Sequence, residues 1–181
     1  FNTIVITGMS VVVLVYITSS CSYAIVRSGS KLYSGLYNFF LVGMIVPFSM
    51  LMLPLYRIMK WMSLINTYHG MILVYLAINT SFSVFLFSGF IKTVPKELEE
   101  AATIDGCNTY SAFFYIVLPV LKPAATTVAI LNCFSIWNDF LVPMLFLTKP
   151  EMKTLVVQIN SFVGQYYNDW SPIFAGICLI V

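Results

Sequence analysis

An all-α, polytopic membrane bundle is the fold class that this 181-residue sequence predicts, and two observations predict it. Hydrophobic residues make up 60% of the chain and charged residues only 9%, with a mean hydropathy of +0.91. A soluble globule of this length needs more polar surface than that. The second observation is how the few charges are spaced. They leave uncharged runs over Phe1–Val26, between Lys31 and Arg57, and between Lys60 and Lys92, and a further run between Lys122 and Lys149 that only Asp139 interrupts. Each run exceeds the roughly 20 apolar residues that a spanning helix needs.

The first span is expected over residues 3–26. It ends in Ser19-Ser20-Cys21-Ser22, small residues that let helices approach closely in lipid, so this end is expected to face another helix. Arg27 to Lys31 then form a short polar turn. The second span, 36–55, holds Gly43, Pro47 and Pro54. Proline removes a backbone donor and bends a helix, either to line a path or simply as a packing kink. Tyr56, Arg57, Lys60, Trp61 and Tyr68 follow as an aromatic and basic belt suited to a headgroup layer.

The third span, 70–90, is rich in Phe and Ser and delivers the chain to a charged insert at 92–122. The fourth is expected over 123–147, followed by a polar loop, 149–169, that includes Gln158, Asn160, Gln165 and Asn168. A fifth run, 170–181, reaches only about 18 Å as a helix, against an apolar core of about 30 Å. With Phe1 in place of Met and no signal-peptide pattern, the chain reads as an internal fragment of a single membrane domain.

The insert is the part with a decipherable local grammar. Pro95 suits a helix start, and Glu97, Glu99 and Glu100 place negative charge at the positive end of the dipole. Leu98, Ala101, Ala102 and Asp105 share one face, narrow enough to sink into a groove. Gly106 supplies the backbone freedom to end the helix. Asn108 or Thr109 can cap a second helix from about Tyr110 to Leu118, and Pro119 is expected to mark the turn back to the membrane. A helix lying on a membrane surface normally carries Lys or Arg on its polar face, whereas this one is acidic.

Glu100-Ala101-Ala102, three residues, Gly106, nine residues, Ile116, one residue and Leu118-Pro119 together match a fixed pattern over twenty residues. In this the sequence resembles the membrane-spanning permease subunits of ATP-binding-cassette (ABC) importers of the type I kind. Trp137-Asn138-Asp139-Phe140-Leu141 with Pro143, Leu64-Ile65-Asn66-Thr67 with Gly70, Asn2-Thr3 and Tyr23-Ala24-Ile25-Val26-Arg27 extend the likeness toward the carbohydrate branch, especially the maltose-type second permease subunit. Ser63 departs from the glycine common in that family, which puts the local turn in doubt.

The resemblance implies a sugar or oligosaccharide importer whose insert is a cytoplasmic coupling helix-turn-helix, with Glu100, Ala101, Ala102, Asp105 and Gly106 docking on an ATPase subunit and Ile116, Leu118 and Pro119 setting the return. It further implies a cytoplasmic ATPase dimer carrying ATP and Mg, a second permease subunit, an extracytoplasmic solute-binding protein, and a bacterial or archaeal cytoplasmic membrane. No cofactor and no metal is expected on the chain itself, which contains no GxxxxGK[ST] and no catalytic constellation. His69, without companion ligands, does not suggest a metal site, and the net charge of +2 with no basic run excludes nucleic acid. The four cysteines are too widely spaced for a metal or disulfide pattern.

Charge alone does not orient the bundle. With the insert cytoplasmic, Arg27, Lys31, Lys92, Lys96 and Lys122 lie inside and Arg57, Lys60, Lys149 and Lys153 outside. The resemblance decides in favour of that orientation. Asp139, about 25 Å along a helix from Lys122, is the one acidic residue inside an apolar run. With Asn138, Trp137 and Pro47 it forms the set of candidate gating or structural residues, Asp139 being expected to reach water or to cap a helix end. Other readings are an importer of a different polar solute, such as a sugar-phosphate or polyol, or a secondary transporter. The latter would place ionisable groups near the midplane.

Overall fold

The computed structural model describes residues 1–162 and 174–178, and every regular element among them is helical. The expected fifth span and the Gln165 and Asn168 part of the loop lie outside the described residues, apart from a helical stretch at 174–178. Two helices are long and apolar enough to cross a membrane, α1 (Asn2–Arg27) and α4 (Tyr68–Thr93). Up to four spans result if two bent helix pairs each count as one.

The second apolar run is not one helix. Lys31–Ile45 forms α2 and Phe48–Trp61 forms α3, with Val46 extended at φ −74° and ψ 116°. The cause is Pro47, whose ring excludes the residue before it from the helical region. Pro54, by contrast, is accommodated inside α3. The fourth run is also divided, into α8 (Lys122–Trp137) and α9 (Leu141–Phe146), after α5 (Glu97–Ile104), α6 (Thr109–Ala112) and α7 (Leu118–Val120) of the insert. Part of the expected polar loop is helical too, as a 3-10 turn at Pro150–Met152 and α10 (Leu155–Asn160).

The chain forms two compact units. One comprises Phe1–Val11, Phe48–Leu76 and Asn132–Val181; its buried residues include Ile6, Met59, Met71, Val74, Ile136 and Phe146. Side-chain hydrogen bonds fasten its described ends. Asn2 Nδ2 donates to the Glu151 and Lys153 carbonyls at 2.7 and 3.1 Å, Tyr68 Oη donates to Asn2 Oδ1 at 2.7 Å, and the Leu155 amide donates to Thr3 Oγ1 at 2.9 Å. These bonds give Asn2-Thr3 its physical meaning and hold α10 in place.

The other unit, Val12–Pro47 and Ala77–Leu131, contains the insert. The small-residue end of α1 faces a helix as expected. Thr18, Ser19 and Ser22 are buried, and Ser22 Oγ donates to the Val84 carbonyl of α4 at 3.2 Å. Helix α2 has no buried residue.

Candidate functional site

The insert folds as a helical hairpin fixed to the end of α1. Pro95 lies just ahead of α5, Lys96 is its N-cap position, and Glu97, Glu99 and Glu100 fill its first turn. Gly106, at φ +88°, ends the helix. Its amide donates to the Thr103 carbonyl at 3.1 Å and that of Cys107 to the Ala102 carbonyl at 2.9 Å. This paired closure needs a left-handed residue, and glycine adopts that conformation without a Cβ penalty. Asn108 then caps α6, its Oδ1 accepting from the Ser111 amide at 2.8 Å.

The second helix departs from expectation at its far end. Phe113–Val117 widens into a π turn, in which the Leu118 amide donates to the Phe113 carbonyl, five residues back. Pro119 has no amide for the ladder, and its ring would strike the carbonyl four residues earlier, so the wider turn relieves both problems. Helix therefore continues past Pro119 to Val120. The 73° change of direction comes beside Leu121, between Thr109–Val120 and α8. Ile116 and Leu118 are half-buried, and Pro119 is exposed.

Glu99 locks the hairpin to α1. Arg27 Nε donates to Glu99 Oε1 at 2.7 Å, Tyr23 Oη donates to Glu99 Oε2 at 2.8 Å, and Arg27 Nη2 donates to the Val94 carbonyl at 2.9 Å. The charged side chains are 13% and 15% exposed. Tyr23 also lies against Phe113, their ring centroids 4.9 Å apart, so α1 grips both helices of the hairpin. Tyr23 and Arg27 stand four residues apart on one helix face. That spacing was a visible signal for a paired acid, but it could not single out Glu99 among three neighbouring glutamates.

The expected docking face is divided. Ala102 is 3% exposed, packed within its own unit, and so does not belong to an open face. Glu100, Ala101, Asp105 and Gly106 are exposed, as are Leu98 and Ile104, the last at 86%. Glu97, Glu100 and Asp105 make no ion pair among the described residues. The free surface thus combines the acidic Glu97, Glu100 and Asp105 with the exposed apolar side chains of Leu98 and Ile104.

In the other unit, Asp139 caps a helix end, one of the roles its sequence position allows. Its Oδ1 accepts from the Leu141 amide at 3.0 Å and the Val142 amide at 3.4 Å, and its Oδ2 accepts from the buried Tyr75 hydroxyl at 3.1 Å. Asn138 Nδ2 donates to the Phe134 carbonyl at 3.0 Å, closing α8, and Trp137 is half-buried at the same end. Pro47 is exposed, and its evident effect is the helix break.

Sequence reasoning gave no role to Asn66. Held at φ 59°, its amide donates to the Phe146 carbonyl at 3.0 Å, and its Oδ1 accepts from the Thr148 and Lys149 amides at 2.6 and 2.9 Å. Beside it, Thr67 caps α4 by accepting from the Gly70 amide at 3.0 Å, and a Cβ on Gly70 would overlap the Leu64 carbonyl oxygen.

Comparison with known proteins matches residues 4–181 to the family described as binding-protein-dependent transport system inner membrane component. The chain belongs to this family. Its relatives include the probable starch degradation products transport system permease protein AmyC of Thermoanaerobacterium thermosulfurigenes, 35% identical over 99% of this chain and 65% of that protein. The melibiose/raffinose/stachyose import permease protein MelC of Bacillus subtilis is 38% identical over 93% of this chain and 61% of its own length. The chain thus spans less than two thirds of these relatives. Among solved structures, a bacterial ABC transporter involved in import of the acidic polysaccharide alginate superposes with a TM-score of 0.81 at 23% identity, covering 98% of this chain and 61% of that one. The MetNI methionine ABC transporter gives 0.72 at 15% identity, covering 99% and 84%. The fold is that of the type I ABC importer permeases, an inner-membrane architecture, as the sequence predicts.

Proposed function

We propose that this chain is part of the permease subunit of an ABC-type importer for a sugar or oligosaccharide. It forms part of the translocation path and couples to a cytoplasmic ATPase through the hairpin at 92–122. One observation carries the reading: the complete family motif lies on an exposed, acidic hairpin that Glu99 fastens to the end of α1. Relatives whose names refer to starch products and to melibiose, raffinose and stachyose support a carbohydrate cargo.

The chemistry of the hairpin suits a cleft with a basic rim and an apolar floor. Glu100 and Asp105 would face the rim, and Ile104 would enter the floor. ATP and Mg belong to the ATPase dimer, and a second permease and an extracytoplasmic binding protein complete the assembly. The hairpin then faces the cytoplasm of a bacterial or archaeal cell. Movement of the docked hairpin reaches α1 through Glu99 and Arg27, provided the ATPase binds the two permease conformations with different free energies.

The test is ATP-driven sugar uptake by the full-length assembled transporter in vesicles. Glu100→Lys and Gly106→Pro are expected to abolish uptake while assembly and membrane insertion persist. Uptake at the unmodified rate in either assembled variant refutes the assignment.

A further inference from the structure

We propose that the pocket beside the Arg27–Lys31 turn binds the phosphate of an anionic phospholipid. The pocket has a volume of about 520 Å³ and brings together Arg27, Lys92 and Lys96 with Ser34, Tyr37 and Asn38 of α2. Its charge is uncompensated. Arg27 is satisfied by Glu99, while Lys92 and Lys96 are exposed and make no ion pair among the described residues. Lys92 Nζ instead stands 5.2 Å from the centroid of the Tyr37 ring, a cation held by an aromatic face with its remaining donors free.

Ser88 adds a second, independent sign of a ligand. It belongs to the pocket wall, it is fully buried, and its hydroxyl has no partner. A helical serine ordinarily donates to the carbonyl four residues back. Here that carbonyl, Val84, already accepts from Ser22. The Ser88 hydroxyl is therefore an unused donor in the pocket wall.

Position selects a lipid over a soluble anion. Lys92 occupies the last turn of α4, a helix long and apolar enough to cross a membrane, so the pocket lies where the chain leaves the apolar layer. On the same face of α2, half-buried Leu41 and exposed Ile45 follow Asn38 by one and two turns, a surface for acyl chains below a polar head. Basic pockets between spanning helices at this depth suit anionic headgroups. Tyr37 and Asn38 add polar groups for a glycerol hydroxyl.

Binding is measured on the full-length protein in its delipidated transporter complex, with phosphatidylglycerol, phosphatidylcholine and inorganic phosphate as separate probes. Phosphatidylglycerol is expected to bind, and Lys92→Gln/Lys96→Gln to weaken it by about 10- to 30-fold, from about fivefold per cation. Lys122→Gln, outside the pocket, leaves binding unchanged. A photo-crosslinker at Asn38 in native membranes is expected to label phospholipid. Equal affinity in the double variant, equal binding of phosphatidylcholine or inorganic phosphate, or labelling of a polypeptide instead of lipid overturns the proposal. None of these readouts requires transport, so their outcome is independent of the importer assignment.

Discussion

Glu99→Ala is expected to detach the coupling hairpin from α1 while leaving the rest of the chain folded. The substitution removes a carboxylate that accepts from Arg27 Nε at 2.7 Å and from Tyr23 Oη at 2.8 Å. Hydrogen bonds to charged groups contribute about 1.5–3 kcal/mol each when well shielded. Here side-chain exposures of 13% and 15% leave some screening, and Arg27 keeps its bond to the Val94 carbonyl. Two such bonds would allow about 3–6 kcal/mol, and the screening and the retained Arg27 bond reduce the loss to about 2–3 kcal/mol. Every 1.4 kcal/mol is about tenfold in an equilibrium. Amide hydrogen exchange across 97–112 is therefore expected to speed up by roughly 30- to 100-fold, while amides at 71–75, in the other unit, stay within about twofold. In a double-mutant cycle, Arg27→Ala adds little once Glu99 is gone. Unchanged hairpin protection, or a uniform rise across both units, refutes the reasoning.

Three further outcomes test the other unit. Ser63 is held at φ 57°, closing α3 with its amide on the Lys60 carbonyl and that of Leu64 on the Met59 carbonyl. Ser63→Gly should relieve left-handed strain and raise stability by about 0.5–1 kcal/mol, read as a later denaturation midpoint. Asn66→Ala strips the bonds to Thr148 and Lys149 and should cost about 2–3 kcal/mol, with faster exchange of those two amides. Asp139→Asn should retain the α9 cap and most stability, whereas Asp139→Ala should cost about 1–2 kcal/mol in the same unfolding assay. An Asn variant with normal assembly and transport would show that the carboxylate charge is not required.

Local chemistry in the insert was legible because its causes are local. Gly106 and Asn108 act on amides within a few residues, and both do what their residue types imply. Pro47 likewise excludes Val46 from the helix through its own ring. The departure at Ser63 also becomes physical: glycine suits that site because its φ is positive. What stayed hidden depends on partners far along the chain. Asn2 bonds to Glu151 and Lys153, and Asn66 to Thr148 and Lys149, so no periodicity near either asparagine reveals the clamp. The helical character of 155–160 was missed for that reason, since Thr3 supplies a bond at its start. The π turn shows a middle case. Pro119 announced an irregularity, but its residue type alone does not say whether the helix stops or widens, and here it widens over Phe113–Val117.

Site-specific crosslinking from position 104 in the assembled transporter tests the central claim most directly. Ile104, 86% exposed beside the Gly106 turn, is where the hairpin would enter its partner. A photo-crosslinker there is predicted to capture the nucleotide-hydrolysing subunit, with a yield that changes when ATP binds. Labelling by an impermeant reagent from the extracytoplasmic side, or crosslinks that never reach an ATPase, would contradict the account.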